Sequence, residues 1–586
     1  MNVLLVAINS KFVHTNLAVR YLEKACYDIA DVDILENSIN TDKNIVLKNI
    51  YLKKPDIICF SCYIWNIDYM LEIAGNIKKV MPEVHILFGG PEVSFDPEKI
   101  MLENSFIDLV LSGEGEESLR ELIMCMKGRG DYESIDGLTF RKREDVVKNA
   151  PRELINDMGS VRSPYEDMDE GEYKDKIIYY ESSRGCPFNC QYCMSSTIRG
   201  VRNFPLERVK KELKEFVDAN VKQVKFVDRT FNANRDRTLE MIAFLKENDN
   251  GYTNFHFEVA AHIMDDELIR ALSDSRRGLF QIEIGIQSTN PNTLAEICRS
   301  QDFGRIRHVV GTIAKCQKVH QHVDLIAGLP YEGYESFARS FDDVFSIGAD
   351  HVQLGFLKLL KGSPIRENQI SKHGYEFSSK PPYEILSNKY IGFGEILRLK
   401  EIEEILELYW NSRGFSKSCT YVIENFYSES PFRFFEDFSR YWSDRGYFEV
   451  GHSRNALYEM FSGFYEFRIG NNMELFRELL RHDYMASAKA SAAPKALGGY
   501  DIACFKGRCY EFVSSPENVS KYMGMYSGLD SKGILRKIRI EAFSYDIKAL
   551  FGDMKTKPVK KDTFVLYVYD GVDSLLEKSN VYFIEI

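Results

Sequence analysis

Apolar residues fall in strand-length blocks along the first two thirds of the chain, with longer amphipathic stretches between them. The first series reads Val3-Leu4-Leu5-Val6, Val32-Asp33-Ile34-Leu35, Ile57-Ile58-Cys59-Phe60, Ile86-Leu87-Phe88 and Leu109-Val110-Leu111. Helical stretches separate these blocks, which predicts a doubly wound parallel sheet over residues 1–125. Ligands of such sheets bind at the carboxyl ends of the strands. Those ends carry Asn9 and Ser10, then Ser61, Cys62, Tyr63, Ile64, Trp65 and Asn66, then Gly89, Gly90, Pro91 and Glu92, and lastly Ser112, Gly113, Glu114, Gly115 and Glu116. Two glycine-rich turns beside a polar, aromatic loop suit a large, flat, partly polar ligand. No G-x-G-x-x-G follows the first strand, so a nicotinamide dinucleotide is disfavoured.

Residues 126–174 read as a linker with a short strand pair at Gly137-Leu138-Thr139-Phe140-Arg141. A second series follows: Ile177–Tyr180, Val224–Val227, Phe255–Val259, Phe280–Ile284, Val323–Ile326 and Val352–Phe356, with amphipathic stretches such as Glu207–Asn220 and Arg237–Glu247 between blocks. Six βα units in series predict a parallel sheet curled into an incomplete barrel over residues 175–370. Its site is expected at the strands' carboxyl ends.

From Pro381 to about Asp483 the pattern turns helical and aromatic, giving a helical region over residues 371–495. Ile385 to Tyr409 reads as one helix, and Phe432, Phe434, Phe435, Phe438, Tyr441 and Trp442 form a stripe expected to pack rather than to bind. After a small-residue stretch at 486–494, strand-like runs at Tyr500–Phe505, Ile538–Ile540, Phe564–Tyr569 and Val581–Ile584 predict a small α+β module over 496–586, with a hairpin turn at Lys506-Gly507-Arg508.

At 586 residues the chain is too long for one core. No apolar run reaches the length of a membrane span, and Met1–Ala7 reads as a strand rather than a signal peptide. Twelve unevenly spaced cysteines fit a reducing cytoplasm, not a disulfide framework. The net charge of −12 argues against a protein that coats nucleic acid, although residues 531–561 hold an excess of Lys and Arg. That segment reads as a solvated basic face, with RNA, a phosphate or an acidic partner as the alternatives.

The most informative motif is Cys186-x3-Cys190-x2-Cys193, with Tyr192 just ahead of the third cysteine, on the loop after the first barrel strand. Three thiolates there suit three irons of a four-iron cluster and leave one iron open; zinc would want a fourth ligand at standard spacing. The motif resembles the signature of the radical S-adenosylmethionine (SAM) superfamily. That resemblance implies a 4Fe-4S cluster on Cys186, Cys190 and Cys193, with SAM on the open iron cleaved to a 5′-deoxyadenosyl radical. It also implies SAM contacts from Tyr192, Asp228, Glu258, Gly285, Gln287 and Pro330. The Gly-Gly-Glu often found after the second strand in that family is absent.

The first domain resembles the cobalamin-binding domain that precedes many radical SAM barrels. By resemblance, cobalamin contacts fall to Asn9, Ser61, Tyr63, Trp65, Asn66, Gly89, Gly90, Pro91, Glu92, Gly113, Glu114, Gly115 and Glu116. The Asp-x-His-x-x-Gly motif of cobalamin mutases is missing, so cobalt is expected without a histidine ligand, Tyr63 or Trp65 capping its lower face. A degenerate scaffold domain is the alternative. Cys59 and Cys62, with Cys26, are not expected to hold a second cluster. The fold class implied is α/β, with a Rossmann-like cobalamin domain, a partial (βα)6 radical SAM barrel, and a helical region plus an α+β module. The function implied is a radical SAM methyltransferase acting on an unactivated carbon, with an electron donor such as flavodoxin or ferredoxin. Cyclisation or rearrangement without methyl transfer, RNA modification, or a metal-binding scaffold without turnover are the alternatives.

Overall fold

The computed structural model describes every residue except 167–170, 172–175, 199, 488, 490–492, 500–504 and 571–578. The first apolar blocks form strands β1 (Asn2–Asn9), β2 (Asp31–Ser38), β3 (Ile57–Ser61), β4 (His85–Gly89) and β5 (Leu109–Leu111). They pair in parallel in the order β2-β1-β3-β4-β5. Alternation along β1 sends Leu4, Val6 and Ile8 into one helix-covered layer and Val3, Leu5 and Ala7 into the other. A strand covered on both faces must be apolar at every step, which is why this one is. Strands β6 (Leu138–Lys142) and β7 (Asp145–Lys148) add antiparallel to β5. The strand pair expected within a linker therefore extends the first sheet, because Leu138 and Phe140 complete the layer of Leu109 and Leu111.

The second series forms β8 (Ile177–Tyr180), β11 (Gln223–Phe226), β12 (Asn254–Glu258), β13 (Phe280–Gln287), β14 (His320–Ala327) and β15 (His351–Phe356). All pair in parallel in the order β15-β14-β13-β12-β11-β8, an open barrel. A hairpin of β9 (Ser183–Cys186) and β10 (Gly200–Asn203) follows β8. Both open edges are covered. At β8 the Ile177 N–H donates to the Val13 carbonyl at 2.8 Å, and Thr15 Oγ1 donates to the Ile177 carbonyl at 3.1 Å. At β15 the Asn411 amide accepts from Val352 N at 3.1 Å and donates to Val352 O at 2.9 Å, as a neighbouring strand would.

The helical region departs from expectation at its start. Ile385–Ser387 is a short strand, β17, paired with β16 (Glu376–Phe377), and the helix begins only at Phe393. There the Glu395 carboxylate accepts from Gly392 N at 2.9 Å, tying the first turn. The aromatic stripe packs: Phe438 lies 4.4 Å from Phe464, 4.5 Å from Tyr409 and 5.1 Å from Phe461, ring to ring. This core runs on into the barrel, where Phe341 meets Phe432 and Phe435.

The last module is an antiparallel sheet of β18 (Ile538–Tyr545), β19 (Lys560–Val568) and β20 (Asn580–Ile584). Most of the run expected at 500–505 lies outside the described residues. Lys506–Arg508 opens a helix reaching Ser514 instead of a hairpin, since Cys509, Phe512 and Val513 bury one helical face. The basic stretch is largely paired: Lys555 with Glu429, Lys560 with Glu474 at 2.9 Å, Lys561 with Asp546 at 3.0 Å and Arg539 with Glu541 at 2.6 Å. Among the described residues no helix is long and apolar enough to cross a membrane.

Because Phe438 is fully buried among three aromatic rings, Phe438→Ala should cost about 3–5 kcal/mol. Thermal unfolding followed by near-ultraviolet circular dichroism should shift down accordingly; an unchanged midpoint would refute this packing.

Candidate active site

The cysteine loop is shaped by one glycine. Gly185 has φ +96°, and a Cβ there would lie 2.1 Å from the Gly200 carbonyl oxygen across the hairpin. Beyond it, Cys186, Cys190 and Cys193 line a single cavity of about 190 Å³. All three are free thiols. Each has a polar neighbour: Thr230 Oγ1 at 3.5 Å from Cys186, Arg299 Nη1 at 3.4 Å from Cys190, and Ser195 N at 3.4 Å from Cys193. Burial pushes the Cys190 thiol up, and the Arg299 guanidinium opposes this.

The other walls come from the barrel lumen. Period-two alternation aims Lys225, then His256 and Glu258, then Glu283 and Gly285, then Asp324 inward from four successive strands. Lys225 Nζ lies 3.3 Å and His256 Nε2 3.2 Å from Glu283. Against the pull of burial, these partners hold Glu283 down at about 2. Glu258 has no such partner, and burial pushes it up to about 7 while Arg229 only partly opposes. Asp324 is pushed up further by burial and its carboxylate neighbours, and its Oδ1 is buried without a partner. Gln287, at a bulge in β13, has φ +73° and a buried, unpartnered Oε1 on the cavity wall. Strain and orphaned polar atoms at one place mark a surface built for a ligand.

The first domain's strand ends are bonded to the barrel beside the cysteine loop. Arg184, two residues ahead of Cys186, meets Glu114 at 3.2 Å, Glu116 at 2.5 Å and Glu181 at 3.0 Å. Arg202, its partner across the hairpin, reaches Glu114 at 2.7 Å. Glu92, only 2% exposed, pairs with Lys361 at 2.9 Å and accepts from Tyr383 OH. On the loop after β3 Tyr63 and Trp65 stack at 4.3 Å and form a flat aromatic plate, with Trp65 45% exposed.

Comparison with known proteins agrees with this layout. Residues 3–123 match the B12 binding domain family, residues 180–344 the radical SAM superfamily, and residues 371–567 a family described as protein of unknown function, DUF4080. Residues 180–344 are thus similar to the radical SAM superfamily. The region matching the B12 binding domain stands ahead of the barrel. An uncharacterized methyltransferase of Pyrococcus horikoshii is 26% identical over 367 residues, 61% of this chain and 79% of that one. The cobalamin-dependent radical SAM methyltransferase TokK of Streptomyces tokunonensis is 25% identical over 349 residues, 56% of this chain and 51% of TokK, so the match spans half of that relative. Among solved structures, OxsB with aqua-cobalamin and SAM bound shares the fold at a TM-score of 0.58 and 15% identity, over 83% of this chain and 78% of OxsB.

The residues present fit a cluster by their donor set: three free thiols on one wall, with Tyr192 beside them hydrogen-bonded to Cys190 and accepting from Arg299 at 3.0 Å. Glu258, Gly285 and Gln287 also reach the cavity. Two of the expected SAM contacts do not. Asp228 is spent on Ser182 N at 2.8 Å and on the Ser182 and Ser183 hydroxyls at 2.6 Å each, and Pro330 offers its carbonyl to Thr293 at 2.8 Å. Sequence reading passed over Arg229, Glu283, Arg299 and Asp324; for Glu283 and Asp324 the signal was a polar residue inside an otherwise apolar strand, as in Phe280-Gln281-Ile282-Glu283-Ile284, while Arg229 and Arg299 lie on loops and gave none.

On the first domain, Gly90, at φ +106°, passes so close to Cys62 that a Cβ would sit 2.6 Å from its carbonyl oxygen. Gly113, at φ +90°, has open space where a Cβ would be, and Gly89, Pro91 and Gly115 shape the same two turns. Ser61 ends β3 beneath the plate. The carboxylates of Glu92, Glu114 and Glu116 join the domains. Asn9 is engaged by Glu36 at 2.7 Å and the His14 carbonyl, and Asn66 pins its loop to Ile8 O and Ser61 O. His14 itself contacts Ser10 and Tyr179, each at 3.3 Å. Cys26 and Cys59 lie in the apolar core beneath β1, and burial raises both thiols, Cys26 to about 12.

Glu258 gives a pH test. Its folded value, about 7, exceeds the ordinary 4.5, so its neutral form favours folding, and stability is lost as pH rises from 4.5 through 7. Glu258→Gln should stabilise the cofactor-free protein at pH 8 by about 3 kcal/mol and leave it unchanged near pH 4. Equal melting curves for both proteins at pH 8 would contradict the burial described.

Proposed function

We propose that this protein is a cobalamin-dependent radical SAM methyltransferase acting on a carbon of a substrate held between its first two domains. The observation that carries this reading is the cysteine-lined cavity of the barrel, with the strand ends of a B12-binding domain tied by ion pairs to Arg184, two residues ahead of Cys186. Bound there, a four-iron cluster supplies the electron that cleaves SAM, and cobalamin supplies the carrier for a methyl group.

Cys186, Cys190 and Cys193 hold the cluster in this reading. Arg299 lies against Cys190 and Tyr192, where its guanidinium suits the carboxylate of SAM. Gln287 and Asp324 bring unpartnered oxygens to the same wall and accept from SAM's amino or ribose donors. The stacked Tyr63 and Trp65 would hold the corrin by an aromatic face. An external one-electron reductant, flavodoxin or ferredoxin, completes the system in a reducing cytoplasm. The ion-paired state of Lys555, Lys560 and Lys561 weighs against RNA as the substrate.

Anaerobic protein supplied with iron, sulfide, cobalamin, SAM and a strong reductant should hold about four irons and release both 5′-deoxyadenosine and S-adenosylhomocysteine. The Cys186, Cys190 and Cys193 triple alanine variant should lose the iron and both products. 5′-Deoxyadenosine alone would favour cyclisation or rearrangement, and iron retained by the triple variant would refute the site.

A further inference from the structure

One cation at the mouth of the cavity is kept out of every ion pair. Arg229 follows β11 and lines the cavity beside Cys186, Thr230 and Glu258. Its backbone is fixed on both sides. Asp228 is buried and holds Ser182 and Ser183, while Asn232 exchanges hydrogen bonds with Ala260 at 2.8 and 2.9 Å. Between these anchors, from 228 to 232, Arg229 is the one exposed residue.

The neighbouring cations other than Arg299 are matched by carboxylates. Lys225 pairs with Glu283, Arg299 binds Cys190, Tyr192 and the Gly285 carbonyl, Arg184 and Arg202 pair with Glu114, and Lys361 pairs with Glu92. Among the described residues Arg229 makes no side-chain hydrogen bond and no ion pair. The guanidinium shares the cavity wall with Cys186, Thr230 and Glu258, where a substrate has to reach to meet a radical formed beside the cluster.

Resting on the function proposed above, we infer that Arg229 anchors the substrate, and that the substrate carries an oxyanion, a carboxylate or a phosphate, gripped by this guanidinium. The planar fork of arginine matches such groups with two parallel N–H donors, and a lysine in its place would offer only a point charge. The walls do not repel an anion: burial favours the protonated forms of Glu258 and Asp324, and Glu283 is matched by Lys225. SAM's own carboxylate has Arg299, deeper beside Cys190.

The test uses reconstituted holoenzyme, as wild type, Arg229→Gln and Arg229→Lys. SAM affinity, cobalamin content and substrate-free SAM cleavage are measured first. Each protein is then dialysed to equilibrium against a small-molecule extract of its native cells, and retained compounds are identified by mass spectrometry, with and without phosphatase treatment of the extract. Arg229→Gln should keep the first three properties within about twofold while retaining the wild-type ligand about tenfold less or worse; Arg229→Lys should fall between. Loss of the ligand after phosphatase identifies a phosphate, and its survival a carboxylate. Weakened SAM or cobalamin binding in Arg229→Gln would overturn the assignment, as would a neutral or cationic ligand, equal retention by both proteins, or a wild type that retains no oxyanion. A wild type that cleaves no SAM would instead refute the proposed function.

Discussion

Two sheets with separate cores present their strand ends to each other, and Arg184 holds them in that relation. Its side chain is 11% exposed, and it meets carboxylates from both domains: Glu114 and Glu116 on the last turn of the first sheet, Glu181 on its own. Taking such charges out of water is expensive, and the attraction offsets the cost only when every partner is in place. The arrangement is therefore all-or-none. It matters most at Arg184 because that residue shares a strand with Cys186, so the contact that fixes the domains also fixes one wall of the cavity. The pairing of Glu92 with Lys361 and Tyr383 is a second point of attachment, which leaves the domains little freedom to rotate about the first.

How much of this was legible in the sequence depended on the range of the interaction. Strands β1 and β3 announced themselves because burial on both faces demands unbroken apolar runs. The three cysteines were legible because their spacing is local. The roles of Glu92, Glu114, Glu116 and Asp228 were not, because a carboxylate's chemistry is visible in sequence while its partner is not; Glu92 and Tyr383 are 291 positions apart. The helix at Lys506 was missed because its glycine suggested a turn, whereas the apolar spacing of Cys509, Phe512 and Val513 decided the matter. Lumen residues such as Glu283 and Asp324 lay in runs read only for their apolar members.

The helical region is continuous with the barrel rather than appended to it. Phe341 on a barrel helix and Phe432 and Phe435 on a bundle helix belong to one cluster, which extends to Phe543 and Tyr567 in the last sheet. Close packing transmits strain across such a core. A change of shape in the C-terminal third therefore has a mechanical route to the strands that carry Glu258, Glu283 and Asp324.

An incomplete barrel has two raw edges, and each is finished by a different part of the chain. Val13 and Thr15 from the first domain complete β8, and Asn411 from the bundle completes β15. An unpaired edge is a template for joining another strand, so these closures act against self-association as much as for stability. The three regions are in this sense not modules. Cut away either flank and the remainder is left with an open seam, so a truncated chain would expose a barrel edge to pairing with its own copies.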